Sequence, residues 1–176
     1  LIKGGVLEEV EVAYETYGSL APEKDNAILL CHALTGDSHP AAHYAEDREG
    51  WWEDLVGPGQ LLDTERFFII CPNVLGGCRG TTGPASADPA TGKAYGAKFP
   101  IVTIRDMVHV QKRLLDKLGI QKLVMVVGGS MGGMQALEWA VTYPDMAAGV
   151  AVIAAPGYTT AQAIAYNDVG RRAIQL

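Results

Sequence analysis

One serine in this chain lies in a glycine-rich stretch whose spacing suits nucleophilic chemistry. Gly128, Ser130 and Gly132 form a G-x-S-x-G pattern. A serine between a strand and a helix needs a strained backbone to project its hydroxyl, and the residues two before and two after it must be small. The following helix directs its free N–H groups towards that hydroxyl. The pattern therefore predicts Ser130 as a nucleophile, with the N–H of Met131 facing an oxyanion.

A plain glycine-rich turn, including one that binds phosphate, is the alternative for this stretch. The stretch contains no G-x-G-x-x-G pattern and no lysine that could contact a phosphate. Residues 123–127 form an apolar run without polar alternation, which predicts a strand buried on both faces. Apolar residues then return at helical spacing from Met134 onwards. These flanks favour the nucleophile over the plain turn.

A second glycine-containing loop follows an earlier apolar run. Residues 27–31 predict another buried strand, and the sequence His32 to His39 comes directly after it. In serine-hydrolase-like folds, a loop after an early strand supplies a second oxyanion-hole N–H, and Leu34 is the best candidate here. An ordinary loop between a strand and a helix remains the alternative.

Apolar runs and helical stripes alternate along the rest of the chain. This alternation predicts an α/β fold with a mostly parallel sheet. Thr103 and Asp106 predict a capped helix that ends at Gly119. Two further buried strands are predicted, over 67–71 and over 149–155. The partly alternating residues 6–17 predict a first strand in an antiparallel hairpin. The glycine- and proline-rich residues 73–100 predict a functional loop.

Composition limits the possible partners. The 176 residues carry a net charge of −6, and 48% are hydrophobic, which suits one globular domain. Without a basic stripe, nucleic acid and membrane surfaces are not expected as partners. The three cysteines have no metal-ligand spacing, so we predict no metal site and expect Cys31 and Cys71 to be buried thiols in a reducing compartment. Because the chain begins with Leu1 rather than methionine, we expect a piece of a longer protein.

The residues that would activate a serine are not where this architecture needs them. After a nucleophile elbow the chain order is serine, then a carboxylate, then histidine. The four histidines all precede Ser130: His32, His39, His43 and His109. We expect His32 to organise its loop and His109 to lie at the surface. The triad Asp and His are therefore expected beyond Leu176, not in this chain.

Several stretches together resemble one enzyme family. They are YETYG (14–18), NAILLCHALTGDSH (26–39), CPNVLGGCRGTTGP (71–84) and VVGGSMGGMQALEWA (126–140). They are similar to homoserine O-acetyltransferases, which are members of the α/β-hydrolase superfamily, and the resemblance covers nearly the whole chain.

The resemblance implies an α/β-hydrolase fold that is truncated before the lid and the C-terminal triad residues. Residues 1–158 would be the N-terminal part of the catalytic domain, and residues 159–176 the start of the lid helices. Ser130 matches the family's nucleophile, and the N–H groups of Leu34 and Met131 match its oxyanion hole. Thr35 matches a residue that lines the amino-acid pocket.

The resemblance also implies an activity. The enzyme would move an acetyl group from acetyl-CoA to the hydroxyl of L-homoserine through an acetyl-serine, in methionine biosynthesis. Acetyl-CoA would be a substrate and no cofactor would be bound. A cytoplasmic homodimer is expected, and the present piece alone is expected to be inactive. Alternatives are a serine O-acetyltransferase, a homoserine O-succinyltransferase, an esterase, and a non-catalytic binding module.

Overall fold

The computed structural model describes residues 1–175, which form a mostly parallel sheet with helices packed on it. The strands are β1 (Tyr14–Tyr17), β2 (Ala27–Cys31), β3 (Val56–Gly57), β4 (Leu62–Asp63), β5 (Phe68–Pro72), β6 (Met125–Gly129) and β7 (Val150–Ile153). The helices are α1 (Ile104–Leu118), α2 (Met131–Thr142) and α3 (Ala161–Gln175), with a short 3₁₀ turn at Gly96–Lys98. Of the helices in this part of the chain, none combines the length and the apolar character that crossing a bilayer requires.

Five strands form the main sheet in the order β1-β5-β2-β6-β7. All neighbouring pairs are parallel except β1 with β5, and β3 pairs with β4 in a separate small sheet. The α/β prediction with a mostly parallel sheet is therefore confirmed. In the central pair Cys31 lies opposite Gly128, so the loop after β2 and the turn after β6 leave the sheet side by side.

The central strand β2 is buried along its whole length because both faces of the sheet are covered. Successive side chains point to opposite faces. Leu29 belongs to a cluster with Leu115 of α1 and Trp139 of α2, whereas Leu30 belongs to a cluster with Val56 and Leu62 of the small sheet. An uninterrupted apolar run is what such a strand requires.

Helix α1 begins and ends where its sequence signals predict. The hydroxyl of Thr103 accepts a hydrogen bond from the backbone N–H of Asp106, and the Asp106 carboxylate accepts one from the Thr103 N–H in return. Gly119 ends the helix in the left-handed conformation, with a φ of 73°. These contacts satisfy backbone groups that the helix itself leaves free.

The first strand is much shorter than predicted, and its partner is different. Only Tyr14–Tyr17 forms β1, and it pairs with β5 rather than in a hairpin, so the prediction over 6–17 is wrong. Upstream, the N–H groups of Glu11 and Ala13 donate to the hydroxyls of Thr82 and Thr81, at 2.8 and 3.0 Å. The carbonyls of Glu11 and Ala13 in turn accept from the backbone N–H groups of Thr82 and Asn73, so the loop after β5 takes the place of a regular strand partner.

The strand predicted over 149–155 is present as β7, but it is not buried. Val150 and Ile153 are 38% and 45% exposed. The strand lies at the edge of the sheet with β6 as its one partner among residues 1–175, so fewer neighbours cover it. The apolar sequence of this segment correctly predicts a strand, but the prediction that the strand is buried is wrong.

The cysteines divide into two environments. Cys31 and Cys71 are buried, as predicted, and Cys78 is exposed in the loop after β5. Burial raises the pKa of the Cys31 thiol to about 12 and raises that of Cys71 well above its usual range, because a thiolate loses hydration there.

Candidate active site

Ser130 occupies a sharp turn between β6 and α2. It caps α2 with φ 55° and ψ −119°, a positive φ that residues with a side chain rarely adopt. Its N–H donates to the carbonyl oxygen of Ile153 on β7 at 2.9 Å, which fixes the backbone of the turn. The side chain is exposed. The turn thus presents a hydroxyl to solvent at the N-terminus of a helix.

The glycines around Ser130 allow the chain to pass very close to β2. A Cβ on Gly132 would clash with the carbonyl oxygen of Cys31, and one on Gly128 would lie 2.5 Å from the carbonyl of Gly132. No side chain fits at either position without a shift of backbone. The G-x-S-x-G spacing therefore has the steric origin that the sequence suggests.

The two predicted oxyanion donors lie at the same edge of the sheet. Leu34 is in the loop after β2, and Met131 is the first residue of α2. Neither backbone N–H donates a hydrogen bond within the described residues 1–175. Free amides at the ends of neighbouring strands, beside an exposed serine, are the groups that an oxyanion hole needs.

A buried chain of polar side chains joins the Leu34 loop to both helices. The Gln135 amide donates to the carbonyls of His32 and Met131, each at 3.3 Å. Gln111 on α1 donates to Gln135 at 2.6 Å and accepts from the indole of Trp139 at 2.7 Å. The sequence analysis did not predict this role for Gln111 and Gln135, although the position of Gln111 within the apolar stripe of α1 was a signal.

His32 organises its loop, as predicted, and is not available as a base. Its Nδ1 lies 2.7 Å from the Ala33 carbonyl, and its Nε2 accepts from the Val74 N–H at 3.1 Å. These partners require the neutral ring with its proton on Nδ1. Burial, which disfavours the charged ring, lowers the pKa of His32. With both nitrogens engaged, the ring cannot accept a proton from Ser130.

The described residues supply no base to Ser130. Its hydroxyl contacts no histidine and no carboxylate within hydrogen-bond distance anywhere in residues 1–175. His39 and His43 contact Glu15 instead, and the ring of His109, half-buried on α1, packs edge-on against Tyr143.

Thr35 lies exposed at an open cleft of about 320 Å³ beside the Leu34 loop. Asp37, Arg48 and Arg79 also line the cleft. Arg48 donates to the Asp37 carboxylate at 2.9 Å. Burial opposes ionisation of Asp37, but the His39 N–H and the Arg48 guanidinium outweigh it and lower its pKa. The cleft therefore offers charges of both signs close to Thr35.

One group of side chains was not anticipated by the sequence analysis, which predicted no metal site. Glu15, His39 and His43 bring three possible ligand atoms within 4.8 Å of one another. The His39–His43 spacing was visible in the sequence. Glu15 lies 24 residues upstream of His39, so its approach depends on the tertiary fold.

Comparison with known proteins gives consistent results. A sequence model of the alpha/beta hydrolase fold family matches residues 26–173. The homoserine O-acetyltransferase of Methanococcoides burtonii is 58% identical over 97% of this chain and 36% of its own length. The crystal structure of homoserine O-acetyltransferase from Bacillus anthracis is 42% identical, with a TM-score of 0.77, over 80% of this chain and 40% of its own. The crystal structure of esterase E22 is also 42% identical, with a TM-score of 0.82, over 91% of this chain and 46% of its own.

The chain is shorter than the proteins that it matches. It spans 36% of the homoserine O-acetyltransferases of Methanococcoides burtonii and Methanosphaerula palustris and 46% of that of Deferribacter desulfuricans.

Proposed function

This chain belongs to the alpha/beta hydrolase fold family, and from that premise we propose that the protein transfers an acetyl group from acetyl-CoA to the hydroxyl of L-homoserine. The observation that carries the proposal is the exposed, strained Ser130 at the start of α2. The homoserine O-acetyltransferases that are 57–60% identical over nearly the whole chain support the choice of reaction.

The proposed reaction has two steps. The Ser130 hydroxyl attacks the thioester carbonyl of acetyl-CoA, and the N–H groups of Leu34 and Met131 stabilise the negative charge on the carbonyl oxygen. The C–S bond then breaks, CoA leaves as a thiol with the serine proton, and acetyl-Ser130 remains. The homoserine hydroxyl next attacks this ester, and its proton passes through the base to the Ser130 oxygen as the C–O bond to Ser130 breaks. O-acetylhomoserine then leaves, and the serine hydroxyl and the free base are restored.

The base is proposed to come from outside residues 1–175. His32 is the histidine closest in sequence to the oxyanion loop, and both of its nitrogens are engaged. A histidine that is oriented by a carboxylate, both beyond Leu176, would complete the site in the order that this fold uses. The greater length of the relatives is consistent with this proposal.

The acceptor site is proposed to be the cleft at Thr35. Homoserine carries an ammonium and a carboxylate, and the cleft presents both Asp37 and Arg79. Placement there would put the substrate beside the loop that contains Leu34. The Thr35 hydroxyl would then line the amino-acid pocket.

We extend the proposal to the organisation of the whole protein. Residues 1–158 would be the N-terminal part of the catalytic domain, and residues 159–176 would begin the lid. The absence of buried side chains from the described residues of α3 supports the second assignment. The protein would act as a cytoplasmic homodimer in methionine biosynthesis.

Mass spectrometry tests the nucleophile directly. The protein, in the form its gene encodes, is incubated with acetyl-CoA without an acceptor, digested and analysed. One acetyl group is expected on the peptide that contains Ser130. Ser130→Ala should abolish the label and lower kcat by about 10⁴-fold or more. Ser19→Ala, at an exposed serine, should retain the label and the rate. An acetyl group on any other residue in the wild type would refute the assignment.

An esterase is the second candidate, because esterase E22 is as identical to this chain as the Bacillus anthracis acetyltransferase structure is. The two functions differ in whether water or an amino acid takes the acetyl group. For a transferase, L-homoserine should accelerate CoA release severalfold over the rate with water alone. Equal rates with and without L-homoserine would favour the esterase.

The choice of acyl donor and acceptor needs a matched comparison. Acetyl-CoA and succinyl-CoA are each assayed with L-homoserine and with L-serine under the same conditions. Acetyl-CoA with L-homoserine should give the highest kcat/KM. A higher value for L-serine or for succinyl-CoA would reassign the substrate while leaving Ser130 as the nucleophile.

A further inference from the structure

Three side chains that can bind a metal ion lie close together at the edge strand β1. In the sheet, β5 and β2 lie between β1 and β6, the strand that leads to Ser130. The Glu15 Oε2 atom lies 2.7 Å from His39 Nδ1 and 2.9 Å from His43 Nε2. All three atoms lie within 4.8 Å of one another. Two imidazoles and one carboxylate are a common ligand set for zinc.

We propose that Glu15, His39 and His43 form a binding site for a divalent transition-metal ion of the zinc type. Zinc bonds to nitrogen and oxygen are about 2.0–2.2 Å long, so ligand atoms in a tetrahedral site lie about 3.3 Å apart. The two short contacts here would open by roughly half an ångström around such an ion. The ion would replace the hydrogens that now join each imidazole to the carboxylate.

Each ligand has a second contact that holds it in a suitable orientation. His39 Nε2 lies 2.7 Å from the Arg48 carbonyl and therefore keeps its proton, so Nδ1 can bind a metal once it loses the hydrogen that now joins it to Glu15. The Tyr17 hydroxyl lies 2.9 Å from Glu15 Oε2 and 2.7 Å from the Ala41 carbonyl, so its one hydrogen is shared between these two acceptors. The ring of Tyr17 stacks on His43 with centroids 4.4 Å apart and planes 3° apart. Contacts of this kind around the ligands are typical of metal sites.

The site is open to an entering ion. The His43 side chain is 39% exposed and the Glu15 side chain 28% exposed, whereas that of His39 is buried. The Asp47 carboxylate, 4.0 Å from His39 Nε2, adds negative charge nearby. Three protein ligands leave a fourth tetrahedral position for water.

Binding would fasten one loop to the sheet. Glu15 lies on β1, while both histidines lie in the irregular segment between β2 and β3. The same segment contains Asp37 and Arg48, which line the cleft at Thr35. An ion at this site would therefore stiffen one wall of that cleft. The metal site does not depend on the proposed acetyl transfer.

The test is a titration of the metal-free protein, in the form its gene encodes, with Zn²⁺ and separately with Co²⁺. Calorimetry should show one ion bound per chain with a dissociation constant in the micromolar range or below. His43→Ala should weaken binding about tenfold or more. His109→Ala, a histidine outside the cluster, should bind as the wild type does.

Two further variants show whether Glu15 binds the ion and whether a thiol does. Glu15→Gln preserves the shape of the side chain and removes its charge, and it should also weaken binding. Cys78→Ser removes the one exposed thiol of residues 1–175 and should leave the visible absorption of bound Co²⁺ unchanged. Circular dichroism confirms that each variant is folded. Absence of a stoichiometric ion in the wild type, or equal affinity in folded His43→Ala, would overturn the proposal.

Discussion

At the scale of single residues, Ser130 and His32 differ more through their positions in the fold than through their residue types. Ser130 holds a positive φ with its side chain exposed, a strain of roughly 1–3 kcal/mol that the surrounding contacts must offset. His32, a possible base by its chemistry, is instead buried and bonded at both nitrogens. The serine side chain therefore faces solvent, as the proposed nucleophile requires, and the histidine serves the structure.

The buried His32 predicts a pH dependence of stability. Its pKa is lowered in the folded protein, so the unfolded chain takes up a proton at higher pH. Burial opposes protonation of His39, but its contacts with the Arg48 carbonyl and Glu15 outweigh burial and raise its pKa, so His39 acts in the opposite direction. The contribution of His32 itself to the free energy of unfolding should fall as the pH drops from about 7 to about 5. In His32→Gln, whose amide oxygen can still accept from Val74, this contribution should be absent. Urea unfolding at several pH values measures it.

The matched control is His109→Gln, since the His109 ring makes no hydrogen bond within the described part of the chain. Its profile should keep the wild-type slope. Parallel pH profiles for the wild type and His32→Gln would show that His32 does not carry the effect.

At the scale of elements, the β2 and β6 strands position the site through their shared register. The pairing of Cys31 with Gly128 brings the end of β2 against the first turn of α2. Gln135 then ties the His32 carbonyl to that helix. The Leu34 loop and the serine turn are thus held by the same helix, as the proposed oxyanion hole requires.

A matched pair of glycines tests this close approach. Gly132→Ala places a Cβ against the Cys31 carbonyl, whereas a Cβ on Gly129 meets nothing nearer than the Ile153 oxygen at 4.0 Å. Gly132→Ala should lower the free energy of unfolding by about 3 kcal/mol, and Gly129→Ala by less than about 1 kcal/mol. Chemical denaturation measures both. Equal losses would mean that strand and helix are not packed as described.

Elements with local signals could be predicted from the sequence, and those with distant partners could not. Thr103, Asp106 and Gly119 bound α1 because capping depends on a few adjacent residues. Residues 6–13 look strand-like, but their backbone bonds to threonine hydroxyls about 70 residues away. The alternation of apolar and polar side chains along the sequence does not predict such a distant partner.

At the scale of the whole molecule, stability depends on covering both faces of the sheet. One face packs under α1 and α2, and the other under the small sheet and the Trp51–Trp52 pair. Contacts between residues distant in sequence, such as those within the cluster of Leu29 and Leu115, help to join these layers, and the Glu15–His39–His43 cluster also depends on distant residues. The strained turn at Ser130 could therefore be predicted from a short stretch, whereas this cluster required the assembled fold.

The burial of a leucine side chain determines how much the free energy of unfolding falls when alanine replaces it. Leu115 is fully buried between α1 and the sheet, and Leu61 is 78% exposed. Leu115→Ala should lower the free energy of unfolding by about 3 kcal/mol through lost burial and a cavity. Leu61→Ala should change it by less than about 0.5 kcal/mol. Thermal or chemical unfolding gives both values, and a small effect at Leu115 would place the core elsewhere.

The contrast between one exposed and two buried thiols makes the chain suitable for site-specific labelling. A maleimide dye added to the native protein should react at Cys78 and leave Cys31 and Cys71 unmodified. The dye would then sit in the loop that follows β5, at the edge of the sheet where Ser130 lies. Its fluorescence could follow substrate arrival without a further cysteine being introduced.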